Sequence, residues 1–128
     1  AVPTIIGEQD PVKSAEVLVQ QAEALAKKLA REGLKMAQVR DVFDELRQIE
    51  SLWTRNPQSA LRRLLLLRPK LRYRTARVKE LQSLAEVLEH AVEEVMRAET
   101  NEVKRERFRR LMEFAEAVVA YHKAYGGE

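Results

Sequence analysis

The strongest constraint on this chain is the recurrence of apolar residues every three or four positions along most of its length. Between residues 39 and 53 the spacing is 3-4-3-4, set by Val39, Val42, Leu46, Ile49 and Trp53. Such spacing places apolar side chains on one face of an α-helix, whereas a half-buried strand would alternate at every second residue. Only four glycines and four prolines interrupt the 128 residues, so the pattern predicts long helices joined by short links.

Capping and breaking residues set the limits of five predicted helices. Asp10 and Pro11 form a start signal, because the first helical position does not use the N–H that proline lacks. Gly33 supplies a stop, since glycine readily adopts the left-handed conformation that ends a helix. The predicted helices run from Pro11 to Gly33, from about Met36 to Arg55 before Pro57, from Gln58 to about Arg77, from about Leu81 to Ala98, and from near Asn101 to just before Gly126, with Tyr125 facing inward.

The third predicted helix has the least regular pattern. Its run from Leu64 to Leu67 is apolar on all sides, which predicts burial from several directions. Pro69 is predicted to break or kink the helix, because proline removes one backbone bond and crowds the preceding turn. Basic and apolar residues alternate over residues 70–75, so a short strand is the alternative there. The helix is favoured because no partner strand is evident elsewhere in the sequence.

These patterns together predict an all-α protein, a compact bundle of about five helices. A length of 128 residues fits a single domain. Charged residues make up 34% of the chain, above the roughly 25% typical of globular proteins, so each helix should expose a broad charged face. We therefore expect one helical domain over residues 1–128, with residues 1–9 forming a loose N-terminal tail.

The sequence lacks the marks of secreted and membrane proteins. It contains no cysteine, which excludes disulfides and thiolate metal sites. No apolar run approaches the roughly 20 residues that span a bilayer, and the apolar stretch in residues 1–6 is too short for the core of a signal peptide. We expect a cytoplasmic protein that does not contact membranes.

Catalytic and metal-binding patterns are also missing. His90 and His122 fall on different predicted helices, and neither has the glutamate three residues earlier that is typical of metal sites in helical bundles. No glycine-rich phosphate loop or nucleophile elbow is present. His90 lies in an acidic stretch and is predicted at the surface, and His122 lies near a helix C-terminus, where the helix dipole favours a cation. We expect no enzymatic activity, no metal and no cofactor.

Positive charge is concentrated in one segment. Residues 61–79 contain no carboxylate and eight basic residues, namely Arg62, Arg63, Arg68, Lys70, Arg72, Arg74, Arg77 and Lys79. A second, mixed cluster lies at residues 104–110. The net charge of the chain is only +3, so the local concentration of basic residues is more informative than the net charge. This concentration indicates a polyanionic partner.

The chemistry of the basic segment suits nucleic acid. Arginine pairs with phosphate oxygens through two parallel bonds, and Tyr73 offers a stacking surface among the arginines. Arg40 and Arg47 share a face of the second predicted helix, which Lys35 begins, and they extend the basic stripe. The chain contains 15 arginines and eight lysines. Genome composition or heat adaptation also produces such an excess of arginine, so the basic segment can be explained without a nucleic-acid partner. Membrane-surface binding is less favoured, because the segment lacks a strong Trp or Phe face.

Three stretches of the chain resemble a known family when they are taken together. Residues 33–40 read GLKMAQVR, residues 67–77 read LRPKLRYRTAR, and residues 114–127 read FAEAVVAYHKAYGG. In order and spacing they are similar to a Gly-Leu-Thr-x-x-x-x-Arg opening, a Pro-Lys-Leu-x-Tyr-x-x-Gly-Arg core and an Ala-x-Val-Ala-Tyr-x-Lys-x-Tyr-Gly tail. These belong to the small subunit of type III-A CRISPR effector complexes, the Csm type.

This resemblance implies a non-catalytic subunit that stacks in several copies along a complex assembled on a guide RNA. Basic faces would hold the backbone of the guide–target RNA, other subunits would supply cleavage and nucleotide cyclisation, and the whole would act in antiviral defence. The motif positions imply RNA contacts at Arg40, Lys70 and Arg77, with Tyr73 stacking or packing. From charge geometry alone we add Arg47, Arg72 and Arg74, and Lys35 completes the predicted RNA-binding set.

The sequence departs from the family pattern at two places, and it leaves two rival functions open. Lys35 and Met36 replace the usual Thr or Ser, so capping of the second helix must come from elsewhere, and Ala76 replaces a glycine. One rival is a self-associating helical scaffold without nucleic acid, which the spacing of the second helix and an exposed Trp53 would suit. The other is an RNA- or DNA-binding bundle outside this complex, including the all-helical small subunit of the related Cmr-type complex.

Overall fold

The computed structural model describes residues 10–128, and the predicted loose tail over residues 1–9 lies outside them. Within the described residues the chain is all-α and contains no strand, which confirms the predicted fold class. The elements are α1 (Pro11–Arg31), α2 (Met36–Arg55), α3 (Pro57–Arg77), a 3-10 turn (Lys79–Leu81), α4 (Gln82–Met96) and α5 (Asn101–Ala124).

Successive helices run in opposite directions. The Trp53 and Phe108 rings stack 4.9 Å apart, which joins the end of α2 to the start of α5. Arg72 near the end of α3 bonds to Glu89 in the middle of α4, as expected of an antiparallel pair. The links are short, as in up-and-down bundles. The C-terminal ends of α1, α3 and α5 therefore lie with the starts of α2 and α4 at one end of the bundle.

Capping residues explain where α1 and α3 begin. The Asp10 carboxylate accepts from the N–H groups of Val12 at 3.0 Å and Lys13 at 3.2 Å, which satisfies donors that the helix itself leaves free. The Asn56 side chain accepts in the same way from the N–H of Ser59 at 3.1 Å. Pro57 occupies the first position of α3, so it starts this helix as well as ending the one before.

The link between α1 and α2 is held from α5. Gly33 has a φ of +83°, the left-handed conformation that ends α1 as predicted. No side chain caps α2 at Lys35, which agrees with the departure from the family pattern at that position. The Nε2 atom of His122 donates to the Leu34 carbonyl oxygen over 2.7 Å, and this bond joins the last turn of α5 to the link between α1 and α2. His122 lies in the last turn of α5 as predicted and is fully buried, whereas His90 lies at the surface as predicted.

Helix α3 continues without interruption through Pro69, so the predicted break is absent and the alternative strand is ruled out. Leu64, Leu67 and Leu71 are buried against the neighbouring helices, and this packing outweighs the one backbone bond that proline removes. Leu65 and Leu66 are 44% and 48% exposed. The predicted all-round burial of the leucine run was therefore wrong, because only the residues at helical spacing reach the core.

Two aromatic residues differ from expectation. Trp53 is only 4% exposed, so it belongs to the core and is not an exposed anchor for a scaffold. Tyr125, for which the sequence predicts an inward position, is 42% exposed. Its hydroxyl donates to the Glu23 carboxylate, which raises the pKa of that hydroxyl, and the Lys27 amine lies 4.9 Å from the ring centre. These polar contacts with α1 satisfy the hydroxyl at the surface.

Replacing Gly127 with alanine should destabilise the bundle. The Gly127 N–H donates to the His122 carbonyl over 2.8 Å, and an added Cβ would lie 2.1 Å from the His122 ring. We expect a loss of about 1–2 kcal/mol, measured as a fall in Tm of about 4 °C for each kcal/mol. Glu128→Ala, at the exposed neighbouring position, should leave Tm unchanged. Equal Tm values for the two variants would show that the close approach of Gly127 to the His122 ring does not require a glycine at this position.

Candidate nucleic-acid interface

The structure neutralises much of the basic segment with carboxylates on neighbouring helices. On the α2 side of α3, Glu45 lies 3.1 Å from Arg63 and 3.7 Å from Lys70. On the α4 side, Arg68 pairs with Glu93 at 3.0 Å and Arg72 with Glu89 at 2.8 Å. These pairs join α3 to both neighbours. They also leave less free positive charge along α3 than its sequence suggests.

Four of the predicted site residues do come together, in a groove between α3 and the first half of α2. We call this cleft of about 450 Å³ the α2–α3 groove. The α3 wall contains Lys70, Tyr73, Arg74 and Arg77, and the facing wall contains Gln38, Asp41 and Glu45. No carboxylate of the described residues forms an ion pair with Arg74 or Arg77, so these two arginines are the cations in the groove that can bind an external anion.

Tyr73 is the aromatic residue of this groove and is 64% exposed. The Arg77 guanidinium lies 5.8 Å from the centre of the Tyr73 ring, and its Nη1 donates to the Tyr73 hydroxyl over 3.4 Å. This contact holds the two side chains next to each other. An exposed ring beside a guanidinium can stack on a base while the cation contacts a phosphate. Tyr73 therefore fits stacking better than core packing.

The other predicted residues lie elsewhere on the surface. Arg72 lines a different cleft, between α3 and α4, where Glu89 neutralises it. Arg47 contacts the Phe43 ring at 5.2 Å and Glu50 at 3.8 Å. Glu50 lines a cleft shared with α5, so Arg47 lies on the α5 side of α2. Arg40 falls on that same side by helical spacing, away from the α2–α3 groove.

Lys35 lies just before α2, at its N-cap position, and does not line the groove. Its side chain is exposed. The basic residues that the sequence predicts to form one continuous stripe over α2 and α3 therefore lie on three separate surfaces. These are the α2–α3 groove, the α4 side of α3 and the α5 side of α2.

Glu45 is the functional residue that sequence reasoning missed. Its side chain is only 12% exposed while those of its partners Arg63 and Lys70 are 36% and 50% exposed. No local signal distinguishes it from the other carboxylates of α2, because its partners lie 18 and 25 residues further along the chain. Glu45 sets how much of the Lys70 charge is available to a ligand.

The remaining surface of the described part of the chain bears on three other kinds of chemistry, namely metal binding, membrane insertion and anion binding by a second basic cluster. In residues 10–128 no group of three or more His, Cys, Asp or Glu side chains could hold a metal ion. No helix among these residues is long and apolar enough to cross a bilayer. In the second basic cluster, Arg109 and Arg110 both contact Glu106, at 2.7 and 3.7 Å. The bond to Glu106 raises the pKa of the Arg109 guanidinium.

The fold and this surface define a small helical-bundle protein whose distinctive feature is a groove with exposed basic and aromatic side chains. The sequence model of the family described as Csm2 Type III-A matches residues 12–128. The chain therefore belongs to this family, the small subunit of the type III-A Csm effector complex. The match confirms the resemblance seen in the three sequence stretches and favours it over a Cmr-type subunit. Neither the curated proteins nor the solved structures gave a match to the chain.

Replacing Glu45 with glutamine should strengthen binding to polyanions. The amide keeps the shape of the side chain but frees Lys70 and Arg63, so about one additional counterion should be released on binding. The variant should elute from a heparin column at higher salt than the unmodified protein. Glu16→Gln removes the same charge from an exposed carboxylate of α1 that forms no ion pair within the described residues, and it serves as the control. Equal retention of the two variants would show that the column senses only net charge.

Proposed function

We propose that this small subunit acts in the Csm complex by binding and not by catalysis, and that it holds the RNA backbone in the α2–α3 groove. The observation that carries the proposal is the exposed Tyr73 ring beside Arg77, with Arg74 in the same groove and neither arginine paired with a carboxylate of the described chain. The complex would be a cytoplasmic, RNA-guided defence assembly. The target strand would be selected by base pairing with the guide.

The groove suits backbone binding better than sequence reading. Arginine forks match phosphate oxygens, and such contacts position a nucleic acid without reading its bases. Stacking on tyrosine tolerates any base, since every base has a flat aromatic face. A subunit with this chemistry would hold guides of any sequence, as an RNA-guided complex requires.

The test is the salt dependence of RNA binding by the double variant Arg74→Gln, Arg77→Gln. Removing one phosphate contact should lower the slope of log K against log salt by about 0.7 for single-stranded RNA. When the full chain is titrated against single-stranded RNA, we expect the two substitutions together to lower the slope by about 1.4, equally for unrelated RNA sequences. A parallel titration against a guide–target duplex should also show a reduced slope. Tyr73→Ala should weaken single-stranded binding by about 1–3 kcal/mol without changing the slope.

The matched control is Arg55→Gln, Arg105→Gln, which removes two exposed arginines from the opposite end of the bundle. This control should retain the slope of the unmodified protein. The groove would be excluded as the RNA surface if the slope fell equally in both double variants, or if it fell in neither. Lys70→Gln should lower the salt slope less than replacement of either Arg74 or Arg77, because the Glu45 carboxylate lies 3.7 Å from the Lys70 amine.

We also propose that copies of the subunit stack through two apolar surfaces on different sides of the bundle. The first, the α3 ridge, consists of Leu65, Leu66 and Pro69 with Arg62 beside them. Its two leucines are 44% and 48% exposed. In the described chain Arg62 forms no ion pair, so the ridge is apolar with a positive edge.

The second surface is a cleft of about 710 Å³ between α1 and α5, the α1–α5 groove. Its lining includes the apolar Leu18, Val19 and Tyr121 together with charged residues of both signs on α5, namely Glu106, Arg109, Arg110, Glu113 and Glu116. Helix α1 packs mainly on α5, whereas α3 packs on α2 and α4, so one molecule cannot join its own ridge to its own groove. A contact between copies would be head-to-tail and would leave a free surface at each end, which allows a row of subunits.

Replacing Leu65 and Leu66 together with glutamine should weaken this self-association. Leucines that become buried between two copies contribute about 1.5–3 kcal/mol each, so association should weaken by at least about tenfold. Sedimentation velocity over a range of protein concentrations measures the effect. Val103→Gln changes an apolar residue of similar exposure, 43%, outside both surfaces and should leave association unchanged. A concentration-independent monomer in the unmodified protein would exclude stacking by these surfaces alone.

A further inference from the structure

One end of the bundle collects basic residues that are far apart in the sequence. Because the helices alternate in direction, the last turns of α1, α3 and α5 meet the starts of α2 and α4 there. We call this surface the basic end, and its members are Lys28, Arg31, Lys35, Arg74, Arg77, Lys79 and Lys123. Only Arg74 and Arg77 of this group also line the α2–α3 groove.

The cations of the basic end differ from three arginines along the sides of α3. Arg63, Arg68 and Arg72 pair with carboxylates of a neighbouring helix at 2.8–3.1 Å, whereas Arg62 on the outer face of α3 forms no ion pair within the described residues. At the basic end no ion pair to a carboxylate forms within residues 10–128. The nearby Glu32 carboxylate accepts instead from the Ser83 hydroxyl over 3.1 Å. Positive charge is therefore left unpaired on this surface.

Helix dipoles explain part of this arrangement. Cations in the last turn of a helix are stabilised by its dipole, which accounts for Lys28, Arg31 and Lys123. Lys35 precedes α2 and Lys79 precedes α4, so the dipole of the following helix does not favour their charges.

The basic end is also held rigidly. His122 bonds to the Leu34 carbonyl, and Ser83 bonds to Glu32, so α4 and α5 fix the link between α1 and α2. Positive groups on a fixed surface lose less entropy on binding than groups on a mobile loop. With no side-chain cap on α2, the N–H groups of its first turn add to the positive potential beside Lys35.

We propose that the RNA path continues from the α2–α3 groove across the basic end, where Lys28, Arg31, Lys35 and Lys123 contact further phosphates. Arg74 and Arg77 belong to both surfaces, so the two are continuous. This inference rests on the proposed function of the groove. The partner is a phosphodiester backbone and not a lipid surface, because the exposed large apolar residues other than Tyr73 and Tyr125 lie away from this end.

The test uses the full chain with Lys28, Arg31 and Lys35 replaced together by glutamine. For single-stranded RNA of about 15 nucleotides, within the range that one binding module covers, the salt slope of binding should fall by about 2. Affinity at low salt should fall at least about tenfold. The matched control replaces Arg55, Lys104 and Arg105 at the opposite end, which removes the same charge. Circular dichroism and Tm measurements confirm that each variant is folded.

Comparison with the Arg74→Gln, Arg77→Gln variant separates this inference from the groove itself. An unchanged slope in the triple variant, with a reduced slope in the groove variant, overturns the basic end and retains the groove. A reduced slope in the triple variant alone overturns the continuous path and the groove, because RNA would then reach the basic end without contacting Arg74 or Arg77. Equal reductions in the triple variant and its control overturn the inference, because net charge would then explain both. Binding of the unmodified protein to anionic vesicles and not to RNA would also overturn it.

Discussion

Helix α5 packs against α1, α2 and α4 at once, and the burial of its apolar side chains is the constraint on which the bundle depends. Phe108 stacks on Trp53 of α2, and Phe114 and Val118 lie beside Leu84 and Leu88 of α4. The last turn of α5 holds the α1–α2 link through His122. Helix α3 packs mainly on α2 and α4 and much less on α5. It is tied to α2 and α4 by leucines and ion pairs, which leaves its outer face free for other contacts.

The pairing of charges decides which basic residues are available to partners. Carboxylates on α2 and α4 neutralise the arginines on the two sides of α3, and these exposed or half-exposed pairs add only modest stability, about 0–1 kcal/mol each. Their larger effect is to reduce the free positive charge on the two sides of α3, while the groove arginines and the basic end keep theirs. A highly charged chain with a small net charge can in this way present a localised positive surface.

Membership of the Csm2 Type III-A family places the chain in a multi-subunit effector, and the proposed surfaces are compatible with one another in that setting. The α2–α3 groove and the basic end lie at one end of the bundle, whereas the α3 ridge and the α1–α5 groove occupy its sides. A row of subunits joined through their sides would leave every basic end exposed. Such a row would present repeated phosphate-binding surfaces to a long RNA.

The sequence by itself determined the all-α class, the limits of α1 and α2 and the absence of any catalytic motif, because helical periodicity and capping act over a few neighbouring residues. Its choice of Tyr73, Arg74 and Arg77 as RNA contacts stays a prediction. It failed at Leu65, Leu66, Trp53 and Tyr125, whose exposure depends on which helices lie beside them. Only the tertiary structure decided that Glu45 and Glu89 neutralise Lys70 and Arg72, and that the last turns of α1 and α3 lie at the same end of the bundle. Charges act through space, and the alternating direction of the helices sets which charges are neighbours.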